Sequence, residues 1–198
     1  MACFKLTIAY DGTAFVGWQR QASGLSIQGL LEEAVEPLAG RAVTVIGAGR
    51  TDAGVHALGQ VASVSLDVPL DARTLLRATN ARLPLAIRVL SCEQMHDQFH
   101  ARFDACSKRY RYRVTNARVQ LPFDRSYAWH IPTPVLDLAA MNAAAVLLEG
   151  EHDFASFQTT GGEVMTTVRQ IYTSRVVLEP PGRDRQSPDG PERPPDGD

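Results

Sequence analysis

The sequence is short of nearly every feature that would point to a membrane span, a disulfide scaffold or a metal centre. Its three cysteines, Cys3, Cys92 and Cys106, are odd in number and scattered, with no C-x-x-C. That argues against a disulfide framework and for buried, reduced thiols in a cytoplasmic protein. His56, His100 and His152 lie in separate segments without metal-ligand spacing, so capping, packing or hydrogen bonding is expected of them rather than coordination. No apolar run approaches the roughly 20 residues of a membrane span. The opening MACFKLTIAYDG enters a strand pattern with no basic-then-apolar signal segment. Charge of one sign is also lacking, since 20 Lys and Arg stand against 22 Asp and Glu, a net of −2.

What is present is ordinary in amount and uneven in distribution. Hydrophobic content of 44% over 198 residues suits one domain or two small ones with a packed core. Residues 179–198 carry six acids against three bases, which leaves 17 bases and 16 acids in the body of the chain. Within that body, Arg102, Lys108, Arg109, Arg111 and Arg113 face only Asp104 between His100 and Arg113. A local basic stripe can neutralise phosphates whatever the global sum, though plain solvated strands carry such stripes too.

Residues 4–10, FKLTIAY, alternate apolar and polar and predict a strand. The loop that follows holds Trp18, Gln19 and Arg20, available for RNA contact or equally a core anchor and a surface charge. From Ser26 the apolar spacing becomes helical through Ile27, Leu30, Leu31, Ala34, Val35 and Leu38. Ser26 is the expected cap, and Pro37 is expected to end the regular helix early, before Gly40. Strands at about 41–46 and 60–67, a helix capped by Asp71 to about Ala81, and a strand over Ala86 to Leu90 complete β-α-β-β-α-β, a ferredoxin-like unit. The pattern then begins again: a strand over Arg109 to Thr115, a helix capped by Asp137 and ended by Gly150, and a strand over 168–178. The predicted organisation is therefore residues 1–100, an incomplete second α/β unit over 101–178, and a Pro/Gly/Asp/Arg tail over 179–198. The tail has no apolar residue to bury and is expected to be disordered.

Between the second and third strands lies Gly47-Ala48-Gly49-Arg50-Thr51-Asp52-Ala53-Gly54-Val55-His56-Ala57. On residue types alone it reads as a surface turn with a solvated arginine and carboxylate, but it carries more small residues than a hairpin needs. It begins like the phosphate-binding G-x-G-x-x-G, yet the sixth position is Asp52 and no helix follows, so that reading fails.

GRTDAGVHA closely resembles the signature loop of the tRNA pseudouridine synthase A family. The resemblance extends over residues 4–178 through YDGTAFVGWQRQ, Asn80 with Leu83-Pro84, FHARFDACSKRYRYRV, HDFASF and TTVRQI. It implies an α+β fold of two ferredoxin-like (RRM-like) units whose antiparallel sheets merge under a basic cleft. The second unit is incomplete here. It implies isomerisation of uridine to pseudouridine in the anticodon stem-loop of tRNA, at tRNA positions 38, 39 and 40, by a cytoplasmic homodimer using no cofactor and no metal. Asp52 matches the catalytic aspartate, which attacks or stabilises ribose C1′. Tyr110 matches the tyrosine that stacks on the target base, and Arg50 the loop arginine that helps flip it out. Arg20, Arg102, Lys108, Arg109 and Arg111 would then contact RNA.

Family members also continue past the 168–178 strand into a helix whose arginine pairs with the catalytic aspartate, and no such run follows here. The expectation on that ground is a C-terminally truncated synthase of weak or no activity. A non-catalytic RNA-binding remnant is the alternative, and a structural or small-molecule module is a third reading.

Overall fold

A computed structural model of the chain describes residues 1–158 and 166–179. The fold is α+β, and the described residues divide into two compact units, the first ending at Tyr110 and the second beginning at Arg111. The tail predicted to be disordered lies, from residue 180 on, outside the described residues.

In the first unit the elements run β1 (Ala2–Tyr10), α1 (Ile27–Ala39), β2 (Ile46–Gly47), β3 (Ala57–Leu66), α2 (Ala72–Arg82) and β4 (Ile87–Met95). The sheet order is β2-β3-β1-β4 with every neighbour antiparallel, the ferredoxin-like arrangement that the sequence predicts. Alternation in β1 sends Phe4, Leu6, Ile8 and Tyr10 to one face, all buried. Ile27, Leu31 and Val35 of α1 and Leu75 of α2 cover that face and are each 0% exposed. The caps are as expected: Ser26 Oγ accepts from Gly29 N at 3.2 Å, and Asp71 Oδ1 from Thr74 N at 2.9 Å. Pro37 does not end α1, which continues to Ala39 and closes on Gly40 in the left-handed conformation. One proline in the final turn removes a single intrahelical bond, and the packed face outweighs that loss.

The strand expected over 41–46 is reduced to the Ile46–Gly47 pairing. Its backbone is satisfied by side chains of α1 instead: Glu32 Oε1 accepts from Val45 N at 3.1 Å, and Gln28 Nε2 donates to Val45 O at 3.0 Å. Past β4 the chain crosses the other face of the sheet, where Ala101 N donates to Ser63 Oγ at 3.2 Å and Cys3 Sγ to Phe99 O at 3.3 Å.

The second unit contains β5 (Val114–Thr115), β6 (Trp129–His130), α3 (Leu138–Val146), β7 (Gly150–Asp153) and β8 (Val168–Ile171). β5 and β6 pair in parallel, and β7 and β8 form an antiparallel pair. The strand expected over Arg109 to Thr115 therefore shrinks to Val114–Thr115, because only those residues find a partner strand among the described residues. The strand expected over 168–178 stops at Ile171, beyond which Asn142 of α3 takes both backbone groups of Val176, at 2.8 and 2.9 Å. Asp137 caps α3 as expected, but the helix ends at Val146, short of Gly150. No described residue of this unit is buried.

Candidate active site

The loop bearing Arg50 and Asp52 joins β2 to β3 and is fastened to the segment after β1 by main-chain bonds. Trp18 N donates to Thr51 O at 2.9 Å and Gly54 N to Phe15 O at 3.4 Å, while Ala48 N ties the start of the loop to β3 through Val61 O at 2.8 Å. Val55 N closes a turn on Asp52 O at 3.2 Å. The two segments meet so closely that a Cβ on Gly12 would stand 2.0 Å from the Val55 carbonyl oxygen, so only glycine fits there. His56 belongs to the same joint. Its Nδ1 accepts from Gly12 N at 3.1 Å and lies 3.1 Å from Asp11 Oδ1. The first contact uses the lone pair of a neutral ring; a proton on Nδ1 would be given to Asp11 instead.

Under the loop, Trp18 is 3% exposed and its ring fills the space that a Gly47 side chain would need, so it is a core anchor and no RNA contact. Tyr10 packs at a tilted 6.3 Å from it. The Tyr10 hydroxyl hydrogen-bonds Thr51 Oγ1 at 2.9 Å, and Gln60 Nε2 donates to Gly49 O at 2.7 Å. Burial raises the Tyr10 pKa above its ordinary value, against the opposing effect of hydrogen bonds from Thr51 and Gln60, so the phenol stays neutral. Sequence reasoning passed over these supports. The signal that could have found them is a tyrosine and two glycines in YDGTAFVG, bracketing a turn directly after a strand.

On this base Arg50 and Asp52 are both exposed, and among the described residues neither side chain has a hydrogen bond or ion pair. Lys108 is brought to the same loop, its Nζ 3.0 Å from where a Gly49 Cβ would be. Tyr110 is 71% exposed and has no ring or hydrogen-bond contact among the described residues, so a core-facing role does not apply. Arg102 lies over the Phe103 ring at 5.9 Å, and Arg109 and Arg111 are exposed. Arg20 stands apart from this set: its Nη1 pairs at 3.2 Å with Oε2 of Glu32, a carboxylate buried to 4% exposure. His100 and His152 bind within their own segments. His100 Nδ1 accepts from Arg102 N at 3.3 Å, and His152 Nε2 lies 2.8 Å from Glu149 O.

An exposed carboxylate two residues from an arginine, on a loop locked to a ferredoxin-like unit, can meet an electrophilic carbon of a large substrate. Comparison with known proteins bears on which one. A family model described as tRNA pseudouridine synthase matches residues 6–104 and 144–186. Arg20, Arg50, Asp52 and Arg102 lie inside the matched segments, and Lys108 to Arg111 between them. The tRNA pseudouridine synthase A of Syntrophotalea carbinolica is 44% identical over 177 residues, 89% of this chain and 70% of that protein. The Parvibaculum lavamentivorans protein of that name is 44% identical over 183 residues, 90% and 74%. The Rhodopseudomonas palustris one reaches 50% over 178 residues, 89% and 72%. With a matching family model over most of its length and relatives this similar across both units, the chain belongs to the tRNA pseudouridine synthase family.

Proposed function

We propose that this chain isomerises uridine to pseudouridine in the anticodon arm of tRNA, with Asp52 as the catalytic carboxylate. The observation that carries the reading is Asp52 itself, exposed on a loop that main-chain bonds and a buried tryptophan hold rigidly, in a chain of this family.

The chemistry needs few parts. The N1–C1′ bond of the target uridine breaks and uracil leaves with the bonding electrons. Asp52 either bonds C1′ or stabilises its positive charge, as carboxylates do at glycosidic centres. The base turns, C5 forms the new bond to C1′, the C5 proton is lost and N1 gains one. Tyr110, exposed and ending the first unit, is available to stack on the base and help remove that proton. Arg50, two residues from Asp52, would hold the flipped nucleotide. Arg102, Lys108, Arg109 and Arg111 would contact phosphates. For Arg20, pairing with buried Glu32 is the better supported role. Action as a homodimer in the cytoplasm belongs to the same proposal, and the three free thiols fit that compartment.

The test is incubation with tRNA carrying tritium at uridine C5. The proposal predicts tritium in the solvent, in step with pseudouridine appearing in the anticodon arm. Salt-sensitive tRNA binding with no tritium release would instead favour an RNA-binding protein without the chemistry.

A further inference from the structure

Arg50 and Asp52 have no side-chain partner of their own among the described residues, so their aim depends on the residues beside them. Two of those are held from the sheet. The Tyr10 hydroxyl bonds Thr51 Oγ1 at 2.9 Å, and Gln60 Nε2 donates to Gly49 O at 2.7 Å. These two bonds end at the two neighbours of Arg50, Gly49 and Thr51, and Thr51 is also the neighbour of Asp52.

Tyr10 is buried and Gln60 half-buried, and each continues an apolar row of the core. Gln60 stands opposite Ile8, in the row that continues as Ala62, Val64 and Leu66, each at most 2% exposed. Tyr10 ends the apolar row of β1 and is 4% exposed. Apolar residues of similar size would pack there without a polar atom to satisfy, and burying a hydroxyl or amide costs free energy unless it is bonded. A break in an apolar row at the edge of a site is the kind of local inconsistency that function explains. The ladder is irregular at this point too. Ile8 pairs with Gln60 and Tyr10 with Ala57, so Leu58 and Gly59 stand opposite Ala9 alone, and such bulges re-aim side chains.

We propose that Tyr10 and Gln60 are positioning residues, a hydrogen-bonded clasp that fixes the backbone on both sides of Arg50 and thereby aims Asp52. The proposal rests on Asp52 being the catalytic carboxylate, and its test separates the two. Tyr10→Phe keeps the ring and removes the hydroxyl. Thr51→Val removes the partner and Thr51→Ser keeps it. In the full chain, Tyr10→Phe and Thr51→Val should each lower kcat for tritium release about five- to tenfold with KM within about twofold. The double variant should be no worse than the poorer single one, since both remove one interaction. The Val55 amide, bonded to Asp52 O, should exchange about tenfold faster in both variants while α1 amides keep their rates. Thr51→Ser should restore both readouts. Wild-type kcat and Val55 exchange in Tyr10→Phe would overturn the clasp, as would α1 amides accelerating along with Val55, the mark of a general loss of stability. If the unaltered chain releases no tritium, the functional reading fails by itself, and Val55 exchange alone then decides the clasp.

Discussion

Gly47 and Gly49 flank one buried alanine and look interchangeable in the sequence, yet they meet different surroundings. A Cβ at Gly47 would stand 2.5 Å from the Trp18 ring, which is packed and cannot withdraw. At Gly49 the nearest atom, at 3.0 Å, is the tip of Lys108, which is exposed and free to rotate away. Gly47→Ala should therefore cost about 1–3 kcal/mol of stability, as overpacked sites do. Gly49→Ala should stay within about 0.5 kcal/mol. Chemical denaturation of the two variants checks this, and equal losses would count against the assigned contacts. Asp52 could be singled out in the sequence because a matching loop names the residue type and its neighbours. The burial of Trp18 was not, because an aromatic in a glycine-rich loop packs or stacks on a ligand with the same local sequence.

Three predicted strands were too long, and two of them were shortened for the same reason. Alternating residues mark a chain that could pair, but a ladder also needs a partner, and helix side chains can supply the bonds instead. Glu32 and Gln28 do so for Val45, and Asn142 does so for Val176. β4, at the sheet edge, is treated alike: Asn80 Oδ1 accepts from Val89 N at 2.9 Å and Asn80 Nδ2 donates to Val89 O at 2.8 Å. Edge groups left unpaired are both costly and prone to association. Asn80→Ala should lower stability by about 1–3 kcal/mol, since two partly buried backbone groups lose their partner at once. A thermal melt of the variant against the unaltered chain measures it, and an unchanged midpoint would refute the assignment. Helix starts were read well from the sequence because Ser26, Asp71 and Asp137 act through local bonds. The end of α2 and the Gly40 cap of α1 were also legible, whereas the end of α3 and the lengths of three strands were not, because distant residues set strand pairing.

The first unit encloses a core from Phe4 to Val89, whereas no described residue of the second is buried. Trp129 at 70% exposure, Phe123 at 80% and Leu147 at 75% show how little apolar surface that unit removes from water. Hydrophobic burial is the main favourable contribution to folding, so the units must differ in resistance to opening. Limited proteolysis should cut within residues 111–158 well before residues 1–100, and simultaneous cleavage of both would contradict this. The topology of the first unit was legible because its helical and strand periodicities are complete. That of the second was not, because β6 and β7 are too short to leave a pattern. The central claim concerns one carboxylate on the well-packed unit, and Asp52→Asn tests it with the least disturbance of shape. Tritium release from C5-labelled tRNA should fall at least about a thousandfold, with tRNA affinity within about threefold of the unaltered chain. Turnover persisting within tenfold of the unaltered chain would contradict the assignment of Asp52.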